Sequence, residues 1–278
     1  MEIDNLIFWK DKKVLITGHN GFKGSWLTTW LLSLGANIFG YSLDIEENSL
    51  YENLNFEIQN QKNFGSVVNI EGNINEFQNI CSFVNEIKPD IVFHLAAQPL
   101  VSESYKDPLR TWNTNLIGTL NLLESLKQLS KKCAVVLITT DKVYKNKEWI
   151  YGYREIDELG GKDPYSASKA AMELAINSWI SSFCGDKNYQ TNKLEIASAR
   201  SGNVIGGGDF SEDRIVPDLV KSIFNKDSLL IRSPNARRPW LHVLEPLSGY
   251  LLLAESLYKK QIKAKESSFG NSAYNFGP

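Results

Sequence analysis

Two short stretches carry groups that could move protons. In Asp163-Pro164-Tyr165-Ser166-Ala167-Ser168-Lys169 a tyrosine and a lysine stand four residues apart, behind a proline suited to the first turn of a helix. That spacing puts the phenol and the ammonium on one helix face, one turn apart. A cation beside a phenol favours the phenolate, which makes Tyr165 a candidate base. In Cys133-Ala-Val-Val-Leu-Ile-Thr-Thr-Asp-Lys-Val-Tyr144 an uninterrupted apolar run delivers Thr139, Thr140, Asp141 and Lys142 at its carboxyl end. Hydroxyls, a carboxyl and an amine are thereby gathered where open parallel sheets bind their ligands.

A third stretch says what would lie beside those groups. Lys13-Val-Leu-Ile-Thr-Gly-His-Asn-Gly-Phe-Lys-Gly-Ser-Trp26 runs from an apolar strand through Gly18, Gly21 and Gly24 into a helical run ending near Leu34. The spacing suits a turn in which Gly18 bends the chain, Gly21 admits a pyrophosphate and Gly24 lets helix pack on strand. The amides at the start of that helix would meet the anion, so the reading is a dinucleotide-binding turn.

Stepping outward from these groups, Asp11–Thr17 and Asn37–Tyr41 are the first two strands, joined by the helix after Gly24 as one unit of a parallel sheet. An acid at the end of the second strand usually holds the ribose of NAD; Ser42 stands there, with Asp44 two residues on and no arginine nearby for a 2′-phosphate. Residues 46–63 read as polar and irregular. Residues 66–75 read as a strand ending in a turn, where Asn73 and Ile74 either border an adenine or simply cap the next helix. That helix, Phe77–Ile87, stops at Lys88-Pro89. Asp90–Gln98 is a buried strand closing on Ala96 and Ala97, small enough to leave room for a ligand, with His94 read as a packed core residue. Pro108–Ser130 reads as one long helix, in which Asn115 is either a wedge near the site or a solvent-facing residue. The pattern as a whole is an α/β, Rossmann-type doubly wound parallel sheet.

Composition sets the outer bounds. With 30 basic and 32 acidic side chains among 278 residues and no block of like charge, neither nucleic acid nor a membrane surface is an expected partner. An acidic Met1–Asn5 and the lack of a long apolar run point to a cytoplasmic protein. Cys81, Cys133 and Cys184 are odd in number and widely spaced, which suits buried thiols and no metal site.

The segments GHNGFKG, HLAAQ, TTDKVY, DPYSASK and SARSGNVIGGGD together resemble the extended short-chain dehydrogenase/reductase superfamily, and within it the nucleoside-diphosphate-sugar 4,6-dehydratases. His19 and Lys23 in the glycine turn, Asp141-Lys142, Gly152–Glu155 and the run from Arg237 to Leu247 narrow the likeness toward enzymes acting on a CDP-linked sugar. The resemblance implies a lyase with bound NAD that dehydrates CDP-glucose, as a step toward a deoxysugar of a surface polysaccharide such as the O-antigen of lipopolysaccharide. Tyr165, aided by Lys169 and Thr140, takes the proton of the 4-hydroxyl as hydride leaves carbon 4 for the nicotinamide. Asp141 as acid and Lys142 as base then remove water across carbons 5 and 6, and hydride returns to carbon 6. The alternative for Lys142, read by itself, is a solvated lysine after a strand. Cofactor contacts are implied for Gly18, His19, Asn20, Gly21, Phe22, Lys23, Gly24, Ser42, Asn73, Ile74, Leu95, Ala96, Ala97, Gln98, Asn115, Thr139, Tyr165 and Lys169.

After the buried strand Lys193–Ala199, the loop Arg200–Asp209 carries three successive glycines, and Asn203 could hold a diphosphate. Arg214, Arg232, Arg237 and Arg238 follow, the planar guanidinium being suited to two phosphate oxygens at once. His242 reads equally as a substrate contact or a structural histidine. Leu244–Lys259 should be an amphipathic helix and Tyr274–Pro278 a last strand. The expected organisation is an NAD-binding domain over 1–200 and part of a sugar-nucleotide lobe over 201–278, with some exchange of segments. Because family members continue past Asn275-Phe276-Gly277-Pro278, that lobe is expected to be incomplete. Helices such as Pro108–Ser130 and Pro164–Ser182 are candidates for pairing into a homodimer or homotetramer.

Overall fold

The computed structural model describes residues 7–58, 65–184, 193–231, 233–260 and 272–278. The acidic Met1–Asn5, the end of the polar 46–63 stretch and Arg232 therefore lie outside the described residues.

Apolar, β-branched runs form the strands of one sheet: β1 (Lys13–Thr17), β2 (Asn37–Ser42), β3 (Val67–Glu71), β4 (Ile91–His94), β5 (Lys132–Ile138), β6 (Lys193–Ser201) and β9 (Ala273–Phe276). All seven are parallel, in the order β3-β2-β1-β4-β5-β6-β9. The order reverses between β1 and β4. Strand residues point alternately to the two faces, and the core divides accordingly. Val14 and Ile16 pack with Leu27, Leu31, Leu247 and Tyr250, under α1 (Phe22–Ser33) and α9 (Leu244–Tyr258). Leu15 faces the other way, with Ile80, Leu122, Met172 and Ile176. These come from α3 (Phe77–Ile87), α6 (Gly118–Lys127) and α7 (Pro164–Phe183). The result is the doubly wound α/β sheet that the sequence suggested, with ligand space at the carboxyl ends of β1 and β4.

Two segments depart from expectation. Part of the polar 46–63 stretch is a helix, α2 (Leu50–Ile58). It is anchored by the buried Tyr51, whose ring meets His19 edge-on at 4.9 Å. The expected helix 108–130 is α5 (Pro108–Trp112) continued through a π-helical turn at Asn113–Ile117 into α6, and is preceded by the separate α4 (Val101–Lys106). A π-turn swells the helix by one residue, and here it turns Asn115 into the protein.

Beyond β6 the chain makes a second sheet of two short parallel strands, β7 (Asn203–Ile205) and β8 (Trp240–His242), with α8 (Ile215–Asn225) between them. It then returns through α9 to the main sheet, where β9 lies beside β6.

Candidate functional site

The glycine turn has the shape its spacing promised. Gly18 adopts φ +74°, and a Cβ there would stand 2.7 Å from the Ala96 amide nitrogen. A Cβ on Gly24 would stand 2.1 Å from Gly18 O, so helix and strand approach as only glycine permits. Gly21 has room for a Cβ, 3.5 Å from Gly18 O, so its smallness serves whatever approaches from outside. As N-cap of α1 it brings no capping side chain, and the first turn has no acid. The positive end of α1 is thus left for an external anion, which fits a dinucleotide pyrophosphate.

His19 points away from that anion. Its ring is buried against Gly40 and Tyr51, its Nδ1 lies 2.8 Å from Ser42 Oγ, and burial lowers its pKa to about 4. Ser42 is thereby fixed at the end of β2, where the ribose acid is usual. Asn20 Nδ2 donates to the carbonyls of Leu43 and Asp44 at 2.8 and 3.3 Å, closing the turn onto the segment after β2.

A cavity of about 1070 Å³ opens at the carboxyl ends of the strands. Gly18, Phe22, Lys23 and Gly24 line it, with Leu95, Ala97, Thr139, Thr140, Lys142, Tyr165 and Lys169. Asn203, Arg214 and Arg238 line its far side. Apart from Asp141, the residues singled out for chemistry thus face one space. Asp141 joins them by accepting from Thr140 Oγ1 at 3.0 Å and pairing with Lys142 Nζ at 3.4 Å. Lys142 Nζ also lies 3.5 Å from Asn203 Oδ1, linking the strand end to the second sheet.

The Tyr165 phenol is buried and hydrogen-bonded to Thr140, and burial pushes its pKa up to about 12. The expectation that Lys169 lowers it is not met, since burial outweighs the neighbouring charges; Lys169 Nζ itself donates to Ile138 O at 3.3 Å. Lys169 is itself lowered to about 8 by burial, partly offset by the Glu173 carboxylate. Lys23 reaches across from α1 to donate to Ser201 Oγ at 2.9 Å, and is lowered to about 7 by burial and by the nearby Arg214, Lys169 and Lys142. Five basic side chains, Lys23, Lys142, Lys169, Arg214 and Arg238, therefore line one cavity, a field suited to an anionic ligand.

The remaining candidates hold the site from behind. Asn115 accepts from the Gln98 amide at 2.9 Å and donates to Gln98 O and to Ser168 Oγ, tying the end of β4 to α7 between Tyr165 and Lys169. Gln98 is buried in this network and also donates to Thr111 Oγ1. Ala96 packs on Gly18, while Ile74 is buried against Gly118 and its carbonyl accepts from Asn121. The carbonyl of Asn73 accepts from Tyr41 OH at 3.3 Å. His94 is a core residue. The hydroxyl of Thr119 donates to Asn115 O, so Thr119 accepts from His94 Nε2 at 3.0 Å, and Nδ1 in turn accepts from Thr17 at 2.7 Å. Burial and the charge on Lys169 take its pKa down to about 3. His242 is exposed and does not line the cavity; its Nδ1 accepts from the Leu244 amide at the start of α9, which is a structural duty.

Sequence reasoning passed over Ser168, Glu173, Arg200 and Ser201. Glu173 had a signal, since it continues the Tyr165–Lys169 spacing by one more turn. Arg200 sits where an apolar strand meets its polar exit. Among the described residues no group of metal-ligating side chains occurs, and no helix is long and apolar enough to cross a membrane.

A parallel sheet with a glycine turn at its switch point, and a Tyr-Lys helix facing a Thr-Asp-Lys strand end, defines the extended short-chain dehydrogenase/reductase class. Its architecture is that of an epimerase from Methanothermobacter thermautotrophicus (TM-score 0.79, 24% identity, covering 99% of this chain and 74% of that one). It is likewise that of a dTDP-glucose 4,6-dehydratase from Bacillus anthracis in complex with NAD (TM-score 0.72, 23% identity, 96% and 75%). The chain belongs to the GDP-mannose 4,6 dehydratase family, which it matches over residues 15–267. It is 46% identical over 272 residues to CDP-glucose 4,6-dehydratase of Salmonella typhimurium, covering 98% of this chain and 72% of that enzyme. A UDP-glucose 4-epimerase of Mycoplasma pneumoniae is 27% identical over 250 residues (86% and 70%).

Proposed function

We propose that this chain is an NAD-dependent lyase that converts CDP-glucose to CDP-4-keto-6-deoxyglucose. The observation that carries the reading is an acid and an amine beside the Thr140–Tyr165 hydrogen bond: Lys142 lines the cavity with Thr140 and Tyr165, and Asp141 stands directly behind, bonded to Thr140 and Lys142. Oxidation alone needs only the Tyr-Lys-Thr part, as does epimerisation. A carboxyl and an amine at the same strand end add what elimination needs, and the relative with CDP-glucose in its name, 46% identical, supports the choice of sugar nucleotide.

NAD, when bound over the glycine turn, supplies the acceptor for the carbon 4 hydride and its donor to carbon 6. The chain does the rest. Tyr165 removes the 4-hydroxyl proton, with Thr140 holding the phenol and Lys169 one helical turn away in the same cavity. The resulting 4-ketone acidifies carbon 5. Lys142 takes that proton while Asp141 protonates the departing 6-hydroxyl, and water leaves. Lys23, Arg214 and Arg238 favour the diphosphate electrostatically, and Asn203 orients it beside Lys142. Behind them Asn115, Gln98 and Ser42 fix the cofactor side.

We further assign residues 1–200 to the cofactor domain and 201–278 to part of the substrate lobe, with β9 exchanged into the main sheet. A cytoplasmic homodimer or homotetramer making the precursor of a surface deoxysugar is the setting this reading implies.

The test is mass spectrometry after incubation with CDP-glucose in heavy water without added reductant. The expected product has lost one water and gained one deuterium at carbon 5. Turnover of a GDP or dTDP sugar in its place would keep the mechanism and replace the substrate; silence with all three, cofactor bound, would overturn the enzyme.

A further inference from the structure

Three successive residues at the end of β5 are each held by a different turn of α7. Ile138 O accepts from Lys169 Nζ at 3.3 Å, Thr139 Oγ1 donates to Glu173 Oε1 at 2.5 Å, and Thr140 hydrogen-bonds Tyr165. Tyr165, Lys169 and Glu173 are spaced by four, so they form one stripe along the helix. Two of these contacts belong to the reacting groups. The third belongs to a fully buried carboxylate that the cavity does not reach.

Glu173 is saturated. Besides Thr139, it accepts from Ser198 Oγ at 2.8 Å and from Arg200 Nε and Nη2 at 3.0 and 2.9 Å. Arg200, also buried, donates through Nη1 to Tyr144 OH at 2.8 Å and to the Glu155 carbonyl at 3.1 Å. Tyr144 follows the Asp141–Val143 turn and donates to Asn275 Oδ1 on β9. One carboxylate thus clamps both ends of the Thr139–Tyr144 segment, with Asp141 and Lys142 between the clamped points. A buried ion pair is a weak device for stability and a good one for fixing geometry. Burial alone would lower the Arg200 pKa, but the Glu173 carboxylate more than offsets this and holds the guanidinium charged.

We propose that Glu173 is a positioning residue for the reaction: through Thr139 and Arg200 it sets the register between the Tyr165–Lys169 helix and the Asp141–Lys142 turn. The inference rests on the proposed function for the identity of the reaction, and on the four-residue spacing of Lys169 and Glu173 along α7 for the coupling between them. The charged and titratable groups around Lys169 are Glu173 on α7, Lys23 on α1 and His94 on β4, with Tyr165, Lys142 and Arg214 lining the same cavity and Arg200 paired to Glu173. Glu173 is the anion on the same helix, which makes its effect separable by one substitution.

The experiment compares wild type with Glu173→Gln, Glu173→Asp and Ser198→Ala in two readouts. The first is steady-state turnover of CDP-glucose across pH. Glu173→Gln should lower kcat roughly 10- to 100-fold, the cost of a misplacement near 1 Å, with KM unchanged within about twofold. Its alkaline limb should move down by about one pH unit, as expected on losing a nearby opposite charge. Glu173→Asp, keeping the charge, should restore that limb. The second readout needs no substrate: NMR titration of the Lys169 side chain, assigned by the peak missing in Lys169→Met, should show the same downward shift in Glu173→Gln. A wild type that ignores CDP-glucose would sink the proposed function and leave this readout standing. A folded Glu173→Gln with an unshifted Lys169 titration and wild-type kcat would overturn the inference. If Glu173→Gln does not fold, Ser198→Ala decides: a smaller loss of kcat, about threefold, supports the clamp, and no change refutes it.

Discussion

The two walls of the cavity are built differently. On the cofactor side, the turn of Gly18–Gly24 is locked by backbone contacts that a single Cβ would break, and its helix α1 buries Leu27, Thr28, Leu31 and Leu32. On the substrate side, α8 buries none of its residues, and Ile223, Phe224 and Leu230 are exposed. The first wall is preorganised by packing, while the second is framed by two short strands and held by polar contacts such as Arg214 to Asp209 at 2.8 Å. Substitutions on the cofactor side should therefore cost chemistry or folding, and those on the substrate side should cost affinity.

The largest effect should come from the junction of the two walls. Tyr165→Phe removes the base but keeps the ring, so kcat should fall by about 10³-fold, within the range for general acid–base groups. Binding of NAD, followed by fluorescence, should stay near wild type. Comparable loss of cofactor affinity would mean that Tyr165 serves binding and not proton transfer.

Next comes acid. His19 and His94, both in the cofactor wall, titrate near 4 and 3 when folded, below the ordinary 6.5. Between those values the unfolded chain takes up protons that the folded chain refuses. Their contribution is therefore whole above about pH 6.5 and is lost as pH falls, at up to about 1.4 kcal/mol per pH unit for each group. Chemical denaturation at pH 7, 6, 5 and 4 should show that slope, and His94→Gln should flatten it. A flat profile in the wild type would contradict the buried, neutral imidazoles.

A smaller effect is expected at Arg214→Lys. It keeps the charge beside Asp209 but gives up the planar fork, so KM for the sugar nucleotide should rise about 5- to 10-fold with kcat and melting temperature unchanged. A drop in kcat equal to the rise in KM would place Arg214 in the chemistry. The smallest belongs to Ile223→Ser on the exposed face of α8, which should shift stability by no more than about 0.5 kcal/mol. A larger loss would show that this face is covered in solution.

Much of the cofactor wall was legible in the sequence because it depends on local chemistry: glycines where the chain must bend, an apolar run for each buried strand, a proline at the head of α7. The four-residue spacing of Tyr165 and Lys169 likewise predicted their shared face. What could not be read depends on distant partners. The helix α2 lies in a polar stretch and is held by Tyr51 against His19, 32 residues away in the chain. The π-turn around Asn115 answers to Gln98 and Ser168 and leaves no mark in the pattern. Burial raises the Tyr165 phenol where spacing alone argued for lowering, since spacing says nothing of water. His242 seemed open to two readings because its exposed position at the head of α9 is a property of the fold.

The most direct test follows the hydride itself. CDP-glucose deuterated at carbon 4 is mixed with an equal amount of undeuterated CDP-glucose carrying carbon-13 in the sugar, and the products are resolved by mass. Deuterium found at carbon 6 only in molecules that began with it at carbon 4 is the predicted result, a redox cycle completed within one cavity around one sugar. Deuterium scrambled into the carbon-13 product, or lost from both, would contradict the account.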